Sequence, residues 1–132
     1  MQETNGIALM SQWYLEGMYI IQQLNTTCHK HNLSYDQYLV LEQIIEEKQN
    51  TPKQIADVFK TSAPASSRKI NTLQRKRFVR KLRDIDSDQR TVELEVTDEG
   101  HRQYDAVRQE LASKDRHFTE ADTEHLRAIK AL

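Results

Sequence analysis

Two clusters of side chains in this sequence have the types and spacing to do chemistry. The first is Ser62, Pro64, Ala65, Ser66, Ser67, Arg68 and Asn71, small hydroxyl, amide and apolar groups around one arginine. A guanidinium presents a planar fork of donors that pairs with guanine O6 and N7, while hydroxyl and amide groups suit base edges and phosphates. The second cluster is Cys28-His29-Lys30-His31, which sets three potential metal ligands together, with His117 and His125 elsewhere in the chain. Imidazole and thiolate are good zinc ligands, and cations beside a thiol also favour the thiolate needed by a redox switch. Near a helix end such residues more often serve as polar terminal groups. The chain has one cysteine and no C-x-x-C knuckle, so no metal and no other cofactor is assigned.

Enzyme chemistry finds no support. There is no phosphate-cradling glycine loop, no G-x-S-x-G elbow and no H-E-x-x-H, and the whole chain has three glycines. Glu42, Glu46 and Glu47 are spaced for a helix face exposed to water, where paired carboxylates are usually just solvated. No catalytic residue is named.

Charge is unevenly distributed. Between Lys60 and Arg90 ten Lys or Arg stand against three Asp, a local balance of +7, whereas the remainder carries nine basic and seventeen acidic residues, −8. A basic lobe of this kind attracts a polyanion even when the net charge is −1, because binding follows the local potential. At 132 residues the chain suits one domain. The start, Met1-Gln2-Glu3-Thr4, lacks a basic leader, and the most apolar stretch is broken by Gln12 and Glu16. A cytoplasmic protein without membrane contact is expected.

The elements that must position the basic cluster are legible from caps and periodicity. Thr51-Pro52-Lys53-Gln54 supplies an N-cap, a proline at the first helical position and a glutamine to close a capping box. Ile55, Ala56, Val58 and Phe59 follow at near-helical spacing before the turn Lys60-Thr61-Ser62. A second helix starts near Ser62, holds Pro64 in its first turn, and runs through Arg68, Ile70, Leu73 and Lys76. Two short helices so joined form a helix-turn-helix, whose second member enters the DNA major groove. The period then changes to two: Val92, Leu94 and Val96 share a strand face, Arg80 to Arg83 form its partner, and Asp84 to Arg90 the exposed turn between them. That hairpin is a wing.

Flanking helices complete the chain. From Glu3 to Lys30, Ile7, Met10, Trp13, Tyr14, Met18, Ile21 and Leu24 recur at helical spacing, but Leu9, Leu15, Tyr19 and Ile20 lie off that stripe. So wide a band implies burial on two sides, one against its own domain and one against a partner subunit, with Gly17 permitting close packing or a bend. Ser34-Tyr35-Asp36-Gln37 is another capping box, opening a helix to about Lys48 that directs Tyr38, Leu39, Leu41, Ile44 and Ile45 inward. Thr97 caps a long helix whose Gly100, Tyr104, Val107 and Leu111 make a narrow seam, as in helix pairs. Thr119-Glu120-Ala121-Asp122 caps a last helix with Leu126, Ile129 and Leu132.

Leu33 to Tyr38, Gln54-Ile55-Ala56, Arg68 to Leu73, and the wing's Asp88-Gln89-Arg90 followed by Val96-Thr97-Asp98-Glu99-Gly100 together resemble the multiple-antibiotic-resistance regulator (MarR) family of winged-helix transcription factors. The D-x-R and the T-x-x-G seven residues later are the most specific of these. The chain departs at Arg77, where the family usually ends the recognition helix with glycine, and at Ser66, where it tends to place a small aliphatic core residue. The resemblance implies a mainly α fold with a small hairpin: residues 33–97 as the DNA-binding lobe, 1–32 and 98–132 as dimerisation helices. It further implies a homodimeric repressor on a pseudo-palindromic duplex operator, released by a small aromatic effector. Arg68, Ser67, Ala65 and Asn71 would then face bases, with Ser62, Pro64, Ser66 and Arg83 beside the DNA. Thr51 and Lys53 would meet phosphate, and Arg90, held by Asp88, the minor groove. Trp13, Tyr14 and Tyr38 would line an effector cleft, near Tyr19 and Tyr35. Ile7, Met10, Leu126 and Ile129 would form the dimer interface. Peroxide-sensing relatives place their cysteine where this chain has Ala8 and Leu9, which argues against sensing at Cys28. Two other readings remain: a winged-helix module that binds protein, and a metal-responsive regulator of the same fold.

Overall fold

Caps decide where the helices begin. In the computed structural model, which describes residues 2–83, 92–114 and 119–129, Ser34 N–H donates to Gln37 Oε1 at 3.0 Å and Gln37 N–H donates back to Ser34 Oγ at 3.1 Å. Thr51 and Gln54 repeat the arrangement at 3.1 and 3.2 Å. Each such cap satisfies donors that the first helical turn leaves unpaired and stabilises it by about 1 kcal/mol. Gly100 N–H donates to Thr97 Oγ1 at 3.0 Å in the same role. The resulting order is α1 (Gln2–His29), α2 (Tyr35–Ile45), α3 (Pro52–Phe59), α4 (Ala63–Arg75), β1 (Val79–Arg83), β2 (Val92–Val96), α5 (Asp98–Lys114) and α6 (Glu120–Ile129). Helix α2 stops short of the expected Lys48, because Lys48 adopts a left-handed backbone with φ 58° and closes the helix.

The two strands pair antiparallel, with Val79 opposite Val96 and Lys81 opposite Leu94. Val79, Leu94 and Val96 are buried on the face of the hairpin turned to the helices. Behind them a single core joins Leu41 and Ile44 of α2, Ile55 of α3, Ile70 and Leu73 of α4, and Tyr104 and Val107 of α5. This is a helix-turn-helix backed by a two-stranded wing, as the periodicities predict.

Helix α5 corrects an expectation. Its seam of Gly100, Tyr104 and Val107 is buried within the chain's own core, with Leu111 packed against it, and is not left open for a partner helix. Gly100 is obligatory there, since a Cβ would collide with the Phe78 carbonyl oxygen and lie 2.8 Å from Val96 Cγ1. The start of α5 thus presses directly on the hairpin.

Helix α1 behaves in the opposite way. Its last turn is covered, with Thr27 and Cys28 buried, yet Ile7, Leu9, Met10, Trp13, Tyr14, Leu15, Met18, Tyr19, Ile20 and Ile21 are all 43% exposed or more. The expected burial against its own domain therefore begins only near Leu24. A Cβ on Gly17 would meet nothing within 4 Å, so any close packing at that point is not with this chain. In α6 Leu126 is half exposed, and the side chain of Ile129 lies outside the described residues.

Candidate nucleic-acid interface

The inner face of α4 is fixed by what it buries: Ser66, Ile70 and Leu73. At 3.6 residues per turn, Pro64, Arg68 and Arg75 point the opposite way, flanked by Asn71 and Thr72. Pro64, Arg68 and Arg75 are indeed exposed, while Ala65, Ser67 and Asn71 are partly so. Ser62 caps the helix, its Oγ accepting from Ala65 N–H at 3.3 Å. The result is a convex face with a guanidinium at its centre and small side chains toward its start, a shape that lets a backbone approach closely.

Ser66 does not belong to that face. It is 1% exposed, and its hydroxyl donates to the Pro52 carbonyl of α3 at 3.3 Å. It therefore staples the two helices from inside, in the core position that the resemblance assigns to a small aliphatic residue. Thr51 is likewise engaged, its Oγ1 accepting from Gln54, while Lys53 at the start of α3 is exposed. Arg83 closes β1, with its side chain outside the described residues, and Asp88 and Arg90 also lie outside them.

Much of the basic charge is tied inward. Lys69 Nζ donates to Asp36 of α2 at 3.2 Å and lies 5.6 Å from the centre of the Phe59 ring. Lys76 Nζ donates to the Asn32 carbonyl and to Gln37 Oε1, both at 2.8 Å, and its desolvation pulls its pKa down. Arg80 pairs with Glu95 at 2.6 Å across the hairpin, and Lys81 Nζ donates to Asn71 Oδ1 at 2.7 Å. Arg68 carries no such side-chain tie among the described residues, and Lys53, Lys60 and Arg77 are exposed as well. Sequence patterning alone does not sort these cations, because their partners lie ten or more residues away in the chain.

Arg77 sits one residue past the C-cap with φ 66°. Phe78 N–H donates to the Leu73 carbonyl and Arg77 N–H to that of Gln74, both at 2.9 Å, the pair of bonds that defines a Schellman ending. The helix thus ends on a left-handed arginine at the position where the resemblance puts glycine.

A second concavity, of about 690 Å³, opens between α1, α2 and α5. Tyr35, Tyr38 and Glu42 of α2 face Tyr19, Ile20 and Leu24 of α1 and Arg108, Leu111 and Lys114 of α5. Of the three residues expected there only Tyr38 is present; Trp13 and Tyr14 stand exposed further up α1, where the helix has left the lobe. Tyr38 stacks between Tyr35 at 5.6 Å and Tyr104 at 5.1 Å. Tyr104 OH donates to Glu46 at 2.8 Å and accepts from Arg108 at 2.7 Å. Burial pushes the Tyr38 and Tyr104 hydroxyls and the Glu42 carboxyl upward, so the phenols stay neutral. Arg108 and Lys114 were missed because no local pattern connects them with α2.

Cys28 is fully buried, and burial followed by the charge of Glu110 pushes its thiol from 9.0 up to about 11. Its sequence neighbours do not activate it: Lys30 and His31 instead reach Glu110, at 3.1 and 3.3 Å. Among the described residues no group of three or more His, Cys, Asp or Glu is placed to hold a metal ion, and no helix is long and apolar enough to cross a membrane.

The fold and this face define a winged helix-turn-helix protein. The model of the family "Transcriptional regulator SarA/Rot" matches residues 22–107, well over half of the sequence. The chain belongs to that family and is a transcriptional regulator, not an enzyme. Among curated proteins none matches significantly. Solved structures share the fold: overoxidized AbfR bound to DNA, with a TM-score of 0.78 at 24% identity, covering 98% of this chain and 96% of that one. A MepR–DNA complex of S. aureus gives 0.73 at 14%, covering 91% and 89%. A MarR family transcription regulator gives 0.75 at 16%, covering 98% and 89%, so the MarR resemblance holds for the architecture.

Proposed function

We propose that this chain is a homodimer that binds duplex DNA sequence-specifically and represses transcription until a small aromatic molecule releases it. The observation that carries the reading is the outward face of α4, where Arg68 stands exposed among small side chains while neighbouring cations are tied back. DNA-bound relatives of the same fold, AbfR and MepR, support it. On this reading residues 33–97 contact DNA, two copies of α4 occupy successive major grooves of a pseudo-palindromic operator, and Ser62, Pro64, Ala65, Ser67, Arg68 and Asn71 meet bases or backbone. Lys53 and the N-terminus of α3 at Thr51 hold phosphate, and Arg83, Asp88 and Arg90 serve the wing. Residues 1–32 and 98–132 supply the dimer, with Ile7, Met10, Leu126 and Ile129 in its interface. Such a regulator works where the DNA lies, in the cytoplasm.

The cleft supports the effector. Its volume suits a small ligand, and the α2 turn that lines it with Tyr35 and Tyr38 also holds α4 through Asp36 to Lys69 and Gln37 to Lys76. A molecule that shifts this turn would move the recognition helix directly.

Fluorescence anisotropy across a salt series, on duplexes selected from a random pool, tests the reading. Wild type should bind with a steep salt dependence, and Arg68→Ala should cost about 1 to 3 kcal/mol per half-site and relax preference at one base pair. Salt-independent or absent duplex binding would leave the winged helix as a protein-binding module.

A further inference from the structure

We propose that Lys81 of the wing sets the base preference of Asn71 on the recognition helix, making it a reader of guanine where a free asparagine would read adenine. This rests on the DNA-binding reading of α4. The observation is the hydrogen bond from Lys81 Nζ to Asn71 Oδ1 at 2.7 Å.

Lys81 is well placed to hold that bond. Residues two apart in a strand share a face, so Lys81 leaves β1 on the same side as the buried Val79, the side turned toward α4. Its backbone is paired opposite Leu94, whose N–H in turn donates to the Asn50 carbonyl at 2.7 Å, so the strand ladder is anchored beyond the hairpin itself. The ammonium therefore starts from a fixed point beside the flank of the recognition helix.

The chemistry of the pair then leaves no choice of amide orientation. An ammonium has three donors and no acceptor, so only the amide oxygen of Asn71 can face it, and the amide nitrogen must turn away. An asparagine reads adenine by using both ends at once, its oxygen accepting from N6–H and its nitrogen donating to N7. The oxygen keeps a second lone pair, but a bond that holds it on the wing side takes it out of the side-by-side alignment with the amide nitrogen that adenine requires, and leaves the nitrogen donors to face the base. Guanine offers N7 and O6 as adjacent acceptors to those donors, whereas adenine sets its own N6–H donor beside N7 and opposes them. A residue of the hairpin, outside the helix-turn-helix, thereby changes the meaning of a base-facing side chain.

The experiment is selection of bound duplexes from a random pool by full-length wild type, Asn71→Ala, Lys81→Met and the double variant, with affinities measured for the matched guanine and adenine operators. Methionine keeps the length of the stem and removes the donors. The position read by Asn71 is the one at which Asn71→Ala flattens preference. There wild type should favour guanine over adenine, Lys81→Met should reverse the preference by about tenfold or more, and Lys81→Met should have no effect on preference once Asn71 is alanine. Adenine preference in wild type, or a Lys81→Met variant that weakens all sequences equally with a shallower salt slope, overturns the proposal and makes Lys81 a phosphate contact. Absence of duplex binding by wild type overturns the DNA-binding reading, and this inference with it.

Discussion

The lobe from α2 to the start of α5 and the arm formed by the first twenty-odd residues of α1 are both rich in apolar side chains and treat them differently. In the lobe, α2, α3, α4 and the hairpin cover one another, leaving only Val58 and Leu82 as large exposed hydrophobics among the described residues. In the arm ten such side chains between Ile7 and Ile21 stand in water. The difference teaches that the lobe closes its own core, whereas the arm leaves its apolar side chains uncovered by the rest of the chain. Ten neighbouring apolar side chains form a far larger patch than soluble monomers normally show. The family match, residues 22–107, begins where the exposed stretch ends.

The most damaging way to break this contrast is to make the arm polar. Ile7→Lys with Met10→Lys changes side chains 68% and 54% exposed in the single chain, so the lobe should keep its thermal transition. In a twofold dimer each change counts twice, and self-association should weaken by on the order of 4 kcal/mol. Sedimentation should then give about 15.5 kDa in place of twice that mass. A monomeric wild type removes the homodimer, and a variant that still dimerises moves the interface away from Ile7 and Met10.

Gly100→Ala attacks the lobe instead. Its methyl group would meet Phe78 backbone and Val96 with no flexible side chain able to yield on the backbone side, so stability should fall by about 2 to 3 kcal/mol. Urea unfolding measures it. Unchanged stability would show that α5 is not pressed on the hairpin.

Cys28 sharpens the boundary between the two regions, since it lies in the last covered turn of α1. A thiol raised from 9.0 to about 11 is about a hundredfold poorer in thiolate near neutral pH, so alkylation at pH 8 should be at least that much slower than in denaturant. The sign follows from the raised value: the neutral thiol's contribution to stability is intact below pH 9.0 and is lost as pH rises through about 11. Fast labelling of native protein would mean that α1 lifts off the lobe. Neither peroxide nor Cys28→Ser should alter DNA binding.

What the sequence made legible follows from range. Caps and turns act within four residues, so Ser34, Thr51 and Thr97 located their helices, and alternation at Val92, Leu94 and Val96 located the wing. Ser66 misled because a serine early in a recognition helix looks like a phosphate or base contact, and only the Pro52 carbonyl fourteen residues away reveals it as a core staple. Cys28 is open to two readings in the sequence for the same reason: adjacent cations suggest a thiolate, but side-chain direction sends Lys30 and His31 to Glu110 on α5. The cleft was displaced along α1 because the sequence does not say at which turn that helix leaves the lobe.

The smallest expected effect is also the one with opposite signs on stability and function. Arg77 holds φ 66° at the Schellman position of α4, where a Cβ costs about 1 kcal/mol and glycine costs nothing in the folded chain. Its backbone is well satisfied, the carbonyl accepting from Thr97 Oγ1 at 2.7 Å, so the strain is that of a Cβ held in the left-handed conformation. Arg77→Gly should therefore stabilise the lobe, by no more than about 0.5 kcal/mol after the greater freedom of glycine in the unfolded chain is subtracted. On the DNA-binding reading, the exposed guanidinium at the end of the recognition helix is what that strain retains. The same substitution should then weaken operator binding and lower the salt slope by about 1 per subunit, equally for all sequences. Denaturant unfolding and anisotropy on one preparation separate the two effects. Higher stability with unchanged DNA affinity would leave Arg77 without a role at the interface, and lower stability would show that the lobe draws more from its side chain than the left-handed backbone costs.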